Sequence, residues 1–276
     1  LGQNAPLSEG SSRGTELARL SRTISRKIDR AIFSYRLIEP GDRILVGVSG
    51  GKDSLTLLRQ LALKAGTFSI PFELAAVHAH TELSPDWLPA RLESVAAEWG
   101  VAFRTVPFNL QARIREGMTM NCWWCSTQRR TELLHVAQEE GYTKIALGHH
   151  LDDILETFFM NLTHKGELST MLPKMTYDKY EQAIIRPLAW VQEREIEEFV
   201  RLMGLDSTTC VCGYDATSKR KRVRRIVEDI VEMEGAGARE RMMEALHNPR
   251  LRYLIEREDD HGAEDTSSQR RRTGSQ

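Results

Sequence analysis

An apolar run, Arg43-Ile44-Leu45-Val46-Gly47-Val48, stops at Ser49-Gly50-Gly51-Lys52-Asp53-Ser54, and a second, Leu55-Thr56-Leu57-Leu58, starts straight after it. The spacing predicts a strand that turns sharply into a helix. Two adjacent glycines let the backbone bend so that several N–H groups point into one concavity. The helix adds its unpaired N–H groups and the positive end of its dipole. Lys52 supplies a cation, and Ser49 and Ser54 flank the turn with hydroxyls. Such a turn is a cradle for phosphate or pyrophosphate. The ordinary alternative is a glycine-rich connection with an incidental lysine. Spacing excludes two other phosphate-binding turns. A Walker-type loop needs a glycine six positions before the lysine and Ser or Thr after it, where this chain has Val46 and Asp53. The dinucleotide fingerprint G-x-G-x-x-G is not met by Gly47-Val48-Ser49-Gly50-Gly51-Lys52.

A chain of 276 residues that is 41% hydrophobic can bury a full α/β core with some appendages. Its formal net charge of -1 means that any nucleic-acid partner must be held by a local patch. No apolar run approaches the roughly 18 residues of a membrane span, and no charged-then-apolar signal segment is seen. No membrane partner and a cytoplasmic location are therefore expected. Four cysteines occur as two close pairs, Cys122 with Cys125 and Cys210 with Cys212. In a reducing compartment these favour metal or redox chemistry over structural disulfides.

Residues 1–14 are polar and expected to be disordered. Leu17, Leu20, Ile24, Ile28 and Ile32 recur at helical spacing, predicting an amphipathic helix from Thr15 to about Tyr35 within an N-terminal unit of residues 15–40. Over residues 41–204, strand and helix alternate. Strands are expected at Arg43–Val48, Leu74–His78, Ala102–Val106, Lys144–Leu147 and a short Ala183–Ile185. Helices are expected at Pro85–Gly100 with Trp87, Leu88, Leu92, Val95 and Ala96 inward, from near Ser126, at Leu151 to about Leu162, and at Val191–Met203 with Gly204 as its stop. This order predicts an α/β fold, a parallel five-stranded sheet with helices on both faces. Ligands of such sheets sit beyond the carboxyl ends of the strands, so the glycine turn and Gly148-His149-His150 belong to one rim. Residues 205–258 form a basic helical C-terminal region, and residues 259–276 a polar tail expected to be disordered.

Three further clusters carry chemistry. At Gly148-His149-His150-Leu151-Asp152-Asp153 a strand hands over to a helix. The two carboxylates can cap exposed N–H groups or, opposite a phosphate cradle, hold Mg²⁺. The histidines are either site residues or buried packing groups. Cys122-Trp123-Trp124-Cys125 places two thiolates within reach of one metal or cluster, with a redox dithiol, buried cysteines or a zinc clip as alternatives. Lys219, Arg220, Lys221, Arg222, Arg224 and Arg225 put six cations in seven positions. They suit sequence-independent contacts to RNA phosphates, or else form a solvated helix face.

Taken together, Ser49–Ser54, the Cys122–Arg130 element CxxCSxxRR, Gly148–Asp153, Arg186-Pro187-Leu188 and the distal Cys-Gly resemble the TtcA family of PP-loop ATP pyrophosphatases, which thiolate cytidine in tRNA. The resemblance runs from about Ser21 to Val231. It implies ATP held by Ser49, Gly50, Gly51, Lys52, Asp53, Ser54, Gly148, His149 and Asp153, with Mg²⁺, and catalytic roles for Lys52, Asp53 and Asp152. It also implies a [4Fe–4S] cluster on Cys122, Cys125 and Cys212, the last aligned through Gly213, with Cys210 as the alternative. The expected reaction adenylates O2 of a cytidine, position 32 in the family, and replaces it with sulfur. Implied partners are tRNA, a sulfur donor such as a cysteine desulfurase, and a second copy of the chain. Trp123 and Trp124 would stack on a base or pack around the cluster, and Arg129 and Arg130 would pair phosphate. Two other readings are a PP-loop ligase or amidase without a cluster, and a zinc-stabilised RNA-binding module without catalysis.

Overall fold

The computed structural model describes residues 8–114, 117, 120–207 and 217–255. In chain order the elements are α1 (Ser8–Tyr35), β1 (Asp42–Gly47), α2 (Lys52–Ala65), β2 (Phe72–His80), α3 (Leu88–Glu98), β3 (Ala102–Pro107), α4 (Cys122–Glu139), β4 (Lys144–Ala146), α5 (Leu151–His164), β5 (Lys174–Tyr177), β6 (Tyr180–Ile185), α6 (Glu193–Met203), α7 (Thr217–Glu234) and α8 (Ala238–His247). One sheet runs β3-β2-β1-β4-β6-β5, parallel throughout except for the β5–β6 pair.

Successive strand residues point to opposite faces. Ile44, Val46, Ala146 and Ile185 enter one apolar cluster, while Leu45, Ile145 and Ile184 enter the other. Both faces are therefore covered, which is why the central strands read as continuous apolar runs rather than alternating ones. Leu133, Leu134, Val136 and Ala137 of α4 fill one face; α2, α3, α5 and α6 share the other with the inward stripe Ile24, Ile28, Ala31 and Ile32 of α1. Val227 of α7 and Met243 of α8 join that larger cluster, so the basic C-terminal region is part of the core.

The sheet has six strands instead of the expected five. The additional one, β5, is an edge strand whose residues are half-buried or exposed, so it needs no apolar run. It pairs antiparallel with β6 across Asp178-Lys179, with Tyr177 opposite Tyr180. Helix α1 begins seven residues before the expected Thr15, inside the segment expected to be disordered. Arg13 explains part of this: its Nε donates to Leu202 O (3.0 Å) and its Nη2 to Arg201 O (3.4 Å), satisfying carbonyls at the end of α6. That end is closed by Gly204 at φ 69°, the stop the sequence suggested. Helix α4 starts at Cys122, not near Ser126, because Asn121 Oδ1 accepts the Trp124 N–H (2.9 Å) as an N-cap. Trp87, expected inward, precedes α3 and is half exposed, whereas Leu88, Leu92 and Ala96 are buried. Among the described residues no helix is long and apolar enough to cross a membrane. The expected tail at residues 259–276 lies outside the described residues.

Candidate active site at the carboxyl rim of the sheet

The turn after β1 is tied by its own hydroxyls. Ser54 Oγ donates to Gly51 O (2.9 Å) and lies 3.2 Å from the Ser49 N–H, while Ser49 Oγ accepts the Gly51 N–H (3.3 Å). Gly50 sits at φ 86°, so the bend requires glycine, and a Cβ there would also press on Leu88 Cδ1 at 2.8 Å. The α2 ladder begins with Leu55 N–H donating to Gly51 O (3.1 Å). The N–H groups of Lys52, Asp53 and Ser54 precede it and carry the positive helix end.

Because β4 lies beside β1, the turn after β4 reaches the same rim. A Cβ on Gly148 would fall 2.9 Å from both the carbonyl carbon of Asp53 and the nitrogen of Ser54, so the two turns are in backbone contact. His150, read from sequence as a site or packing residue, is buried between carboxylates. Its Nε2 is 3.8 Å from Asp53 Oδ1 and 3.4 Å from Asp153 Oδ2, and its Nδ1 is 3.7 Å from Asp152 Oδ2. Each aspartate of this turn has both oxygens engaged, one by a backbone N–H and one by an arginine. Asp153 Oδ2 accepts the His150 N–H (3.1 Å) and its Oδ1 meets Arg220 Nη2 (2.7 Å). Asp152 accepts the Glu193 N–H through Oδ2 (2.7 Å) and pairs with Arg239 Nε through Oδ1 (2.5 Å). Asp152 thereby caps α6 and anchors α8.

Lys52 Nζ lies 2.8 Å from Glu193 Oε1 and 3.1 Å from Asp53 Oδ1. Burial works against the Lys52 charge, but Asp53 and Glu193 outweigh it and raise its pKa. Burial pushes the Asp53 carboxyl up despite His150 and Lys52 beside it, and Asp153 pushes the same way. Burial also disfavours the Asp153 charge, yet His150, Arg220 and His149 hold that carboxyl below the ordinary range.

The basic run is divided by helical phase. Arg220 and Arg224 turn inward with the buried Val223 and Val227. Arg220 Nε bonds Glu156 Oε2 (2.6 Å), and Arg224 reaches Glu156 Oε1 (2.7 Å) and Glu193 Oε2 (3.3 Å). Lys221, Arg222 and Arg225 are exposed on the other side. Sequence reasoning treated the run as one face, for RNA or for solvent, and missed Glu156, Glu193 and Arg239. The only available signal for Glu193 was its place at the start of a helix, where acids are common.

Beside this network Arg186 and His149 lie close to Arg130. Arg186 is buried and donates through Nη1 to Leu172 O; burial first, and then Arg130, pull its pKa down to about 10. Burial, with Arg186, Arg220 and Arg130, depresses His149 to about 4 against the pull of Asp153. The Nε atoms of Arg129 and Arg186 and Nδ1 of His149 are buried without a hydrogen-bond partner among the described residues.

Helix α4 runs back between the parallel strands β3 and β4, so its first turn, with Cys122 and Cys125, starts at the same carboxyl rim. Cys125 is buried with Leu110, Met120 and Trp124, against Leu83, Phe108 and Ile114. Glu82 shapes this pocket by accepting the N–H groups of Leu110 (3.0 Å) and Gln111 (2.8 Å). The tryptophans part company: Trp124 packs there and Trp123 is 72% exposed. The Cys122 side chain, Cys210 and Cys212 lie outside the described residues.

These residues fit the groups the resemblance implied. Burial first, and Asp153 with it, disfavours the Asp53 charge, which a divalent cation beside both carboxylates would favour. A Mg²⁺ held by one or two carboxylates would take its other ligands from nucleotide phosphates and water. Cys125, in an apolar pocket at a helix N-terminus, suits a thiolate ligand sheltered from water.

Residues 20–230 match the PP-loop domain family. A protein from Paracoccus denitrificans (strain Pd 1222) named tRNA-cytidine(32) 2-sulfurtransferase is 37% identical over 257 residues, covering 90% of this chain and 84% of its own length. Its namesake in Acaryochloris marina (strain MBIC 11017) is 37% identical over 246 residues, covering 87% and 86%. Among solved structures, the U34-tRNA thiolase NcsA from Methanococcus maripaludis with its [4Fe-4S] cluster has a TM-score of 0.67 at 24% identity, covering 86% of this chain and 80% of that one. That likeness is one of fold. The chain belongs to the TtcA family of PP-loop proteins, that of the tRNA-cytidine(32) 2-sulfurtransferases.

Proposed function

We propose that this enzyme uses ATP to adenylate O2 of a cytidine in tRNA, at position 32, and replaces that oxygen with sulfur to give 2-thiocytidine. One observation carries the reading. The phosphate turn and the Gly148–Asp153 turn are in contact, bringing Lys52, Asp53, His150 and Asp153 together at the rim where the Cys122–Cys125 helix also begins. The names of the relatives supply the base and its position.

The carbonyl oxygen of cytosine is a poor leaving group. Attack of O2 on the α-phosphorus breaks the bond to the β-phosphate, and pyrophosphate departs. The N–H groups of the Ser49–Ser54 turn receive it, and Lys52, held by Glu193, neutralises the charge that builds on the phosphates. A divalent cation on Asp53 and Asp153 would supply further neutralisation. Sulfide-level sulfur, released from the persulfide of a cysteine desulfurase or another donor by a two-electron thiol reductant, then attacks C2; the C2–O2 bond breaks, AMP leaves with the former O2, and the proton of the attacking sulfur passes to solvent. A [4Fe–4S] cluster on Cys122, Cys125 and Cys212 would supply an iron position open to sulfur, since three thiolates leave a fourth site unfilled. The exposed Trp123 would stack on a base, and the exposed Lys221, Arg222 and Arg225 would meet RNA phosphates.

Mass spectrometry of tRNA nucleosides from cells with and without this protein tests the function. 2-Thiocytidine should vanish on deletion and return with the wild-type gene but not with Lys52→Ala. Unchanged 2-thiocytidine after deletion would overturn the reading.

A further inference from the structure

The inward face of α7 meets the nucleotide site at one atom that a metal ion would also want. Asp153 has two carboxylate oxygens. Oδ2 accepts the His150 N–H (3.1 Å) and so fixes the start of α5. Only Oδ1 is directed away from that cap, and it is 2.7 Å from Arg220 Nη2. The same guanidinium is held from its other side by Glu156 Oε2, 2.6 Å from Nε. Glu156 is buried and is also paired with Arg224 (2.7 Å). Arg220 thus has one permanent anchor and one shared partner.

Resting on the reading of Asp53 and Asp153 as the metal–nucleotide carboxylates, we propose that Arg220 is a partner-exchanging residue of the nucleotide site. It contends with the divalent cation for Asp153 Oδ1, and when displaced it turns the freed Nη2 to a phosphate oxygen of the nucleotide while Glu156 keeps it tethered. Arginine suits both roles, because its fork presents parallel N–H groups to carboxylate or phosphate alike. The exchange trades one charge-assisted bond for another, so Arg220 offers little resistance to the metal–nucleotide complex but resists a bare metal ion. A purely structural Arg220, clamping α7 onto α5, would do neither.

The two roles separate in binding measurements on the full-length protein, made without turnover. Mn²⁺ binding is followed by electron paramagnetic resonance in the absence of nucleotide, and binding of the non-hydrolysable α,β-methylene ATP is followed by calorimetry with Mg²⁺ present. Arg220→Ala should bind Mn²⁺ severalfold more tightly and the ATP analogue about tenfold more weakly, the loss of one charged phosphate contact. Arg220→Lys, whose single ammonium cannot bridge both partners, should shift both affinities the same way by less, and it carries the test should the alanine variant not fold. Arg224→Ala removes ties of α7 to Glu156 and Glu193 but none to Asp153, so its Mn²⁺ affinity should rise less than that of Arg220→Ala. Opposite shifts in the two affinities support the exchange. Parallel weakening, no change, or the same Mn²⁺ response in Arg224→Ala overturns it. If the wild-type protein binds neither probe, the reading of the carboxylates fails first.

Discussion

Gly148 lies so close to Asp53 that a single methyl group would collide with the backbone of the phosphate turn, at 2.9 Å from the Asp53 carbonyl carbon. Backbone cannot swing aside as a flexible side chain can. Gly148→Ala must therefore part the two turns, at a cost of about 1–3 kcal/mol for the forced shift. The ATP-to-AMP half-reaction should fall further than stability does, because the movement separates Lys52 and Asp53 from Asp153. Melting temperature and AMP formation, measured side by side, check this. A variant with wild-type turnover would mean that the contact between the turns is not needed for chemistry.

Glu193 holds the phosphate-site lysine from 141 residues away in sequence, with Oε1 2.8 Å from Lys52 Nζ. With Glu193→Ala, Lys52 keeps only Asp53, at 3.1 Å, and loses the partner that fixes its reach. The kcat for AMP formation should drop roughly 10- to 100-fold, the range expected when a charged group is misplaced by about an ångström. Iron content should stay unchanged. Glu193→Gln keeps a hydrogen-bond acceptor without the charge and should recover part of the rate.

Legibility in the sequence followed locality. The phosphate turn, Gly148–Asp153 and the Gly204 stop depend on residues within a few positions of one another, and each was readable. The sixth strand was not, since an edge strand such as Lys174–Tyr177 has no buried faces to write an apolar pattern. The start of α4 hinged on the single N-cap Asn121, easily overlooked ahead of a cysteine pair that draws attention to itself. The pairs Lys52–Glu193, Asp153–Arg220 and Asp152–Arg239 join distant segments, and nothing local distinguishes an inward arginine from an outward one until the phase of α7 is fixed by Val223 and Val227. The run that looked like one RNA-binding patch is thus two surfaces.

Those two surfaces make a prediction about tRNA affinity. Arg222→Glu with Arg225→Glu, both on the exposed side of α7, should weaken tRNA binding and lower the slope of log affinity against log salt by about one unit per lost phosphate contact. Nucleotide binding should be untouched. Filter binding at several salt concentrations reads the slope, and an unaltered slope would reduce this face to an ordinary solvated one.

His149 gives the site an acid limit. Burial, together with Arg186, Arg220 and Arg130, lowers it to about 4 from the ordinary 6.5, so the folded protein binds fewer protons at this residue than the unfolded chain does between those values. The neutral imidazole's contribution is complete above about pH 6.5 and is lost as pH falls towards 4, to a total on the order of 3 kcal/mol. His149→Gln cannot titrate, and it should flatten that part of the stability profile in urea unfolding between pH 4 and 7. A variant that retains the wild-type slope would put the origin of the acid sensitivity elsewhere.

The network around Lys52 is built from α2, α5, α6 and α7, whereas the cysteine pocket is built from α4 and the segments that follow β2 and β3. The two half-reactions should therefore be separable by mutation. Cys125→Ala exchanges one small buried group for another, so the fold should survive. Iron and 2-thiocytidine formation should be lost while AMP formation persists. With Cys212, the cysteine followed by Gly213, proposed as the third ligand and Cys210 as the alternative, Cys212→Ala should repeat that pattern and Cys210→Ala should retain both iron and thiolation. Iron analysis after anaerobic purification, with a tRNA thiolation assay on the same samples, decides between them. Loss in Cys210→Ala alone would move the ligand to that position, and full iron in Cys125→Ala would remove the cluster from this helix altogether.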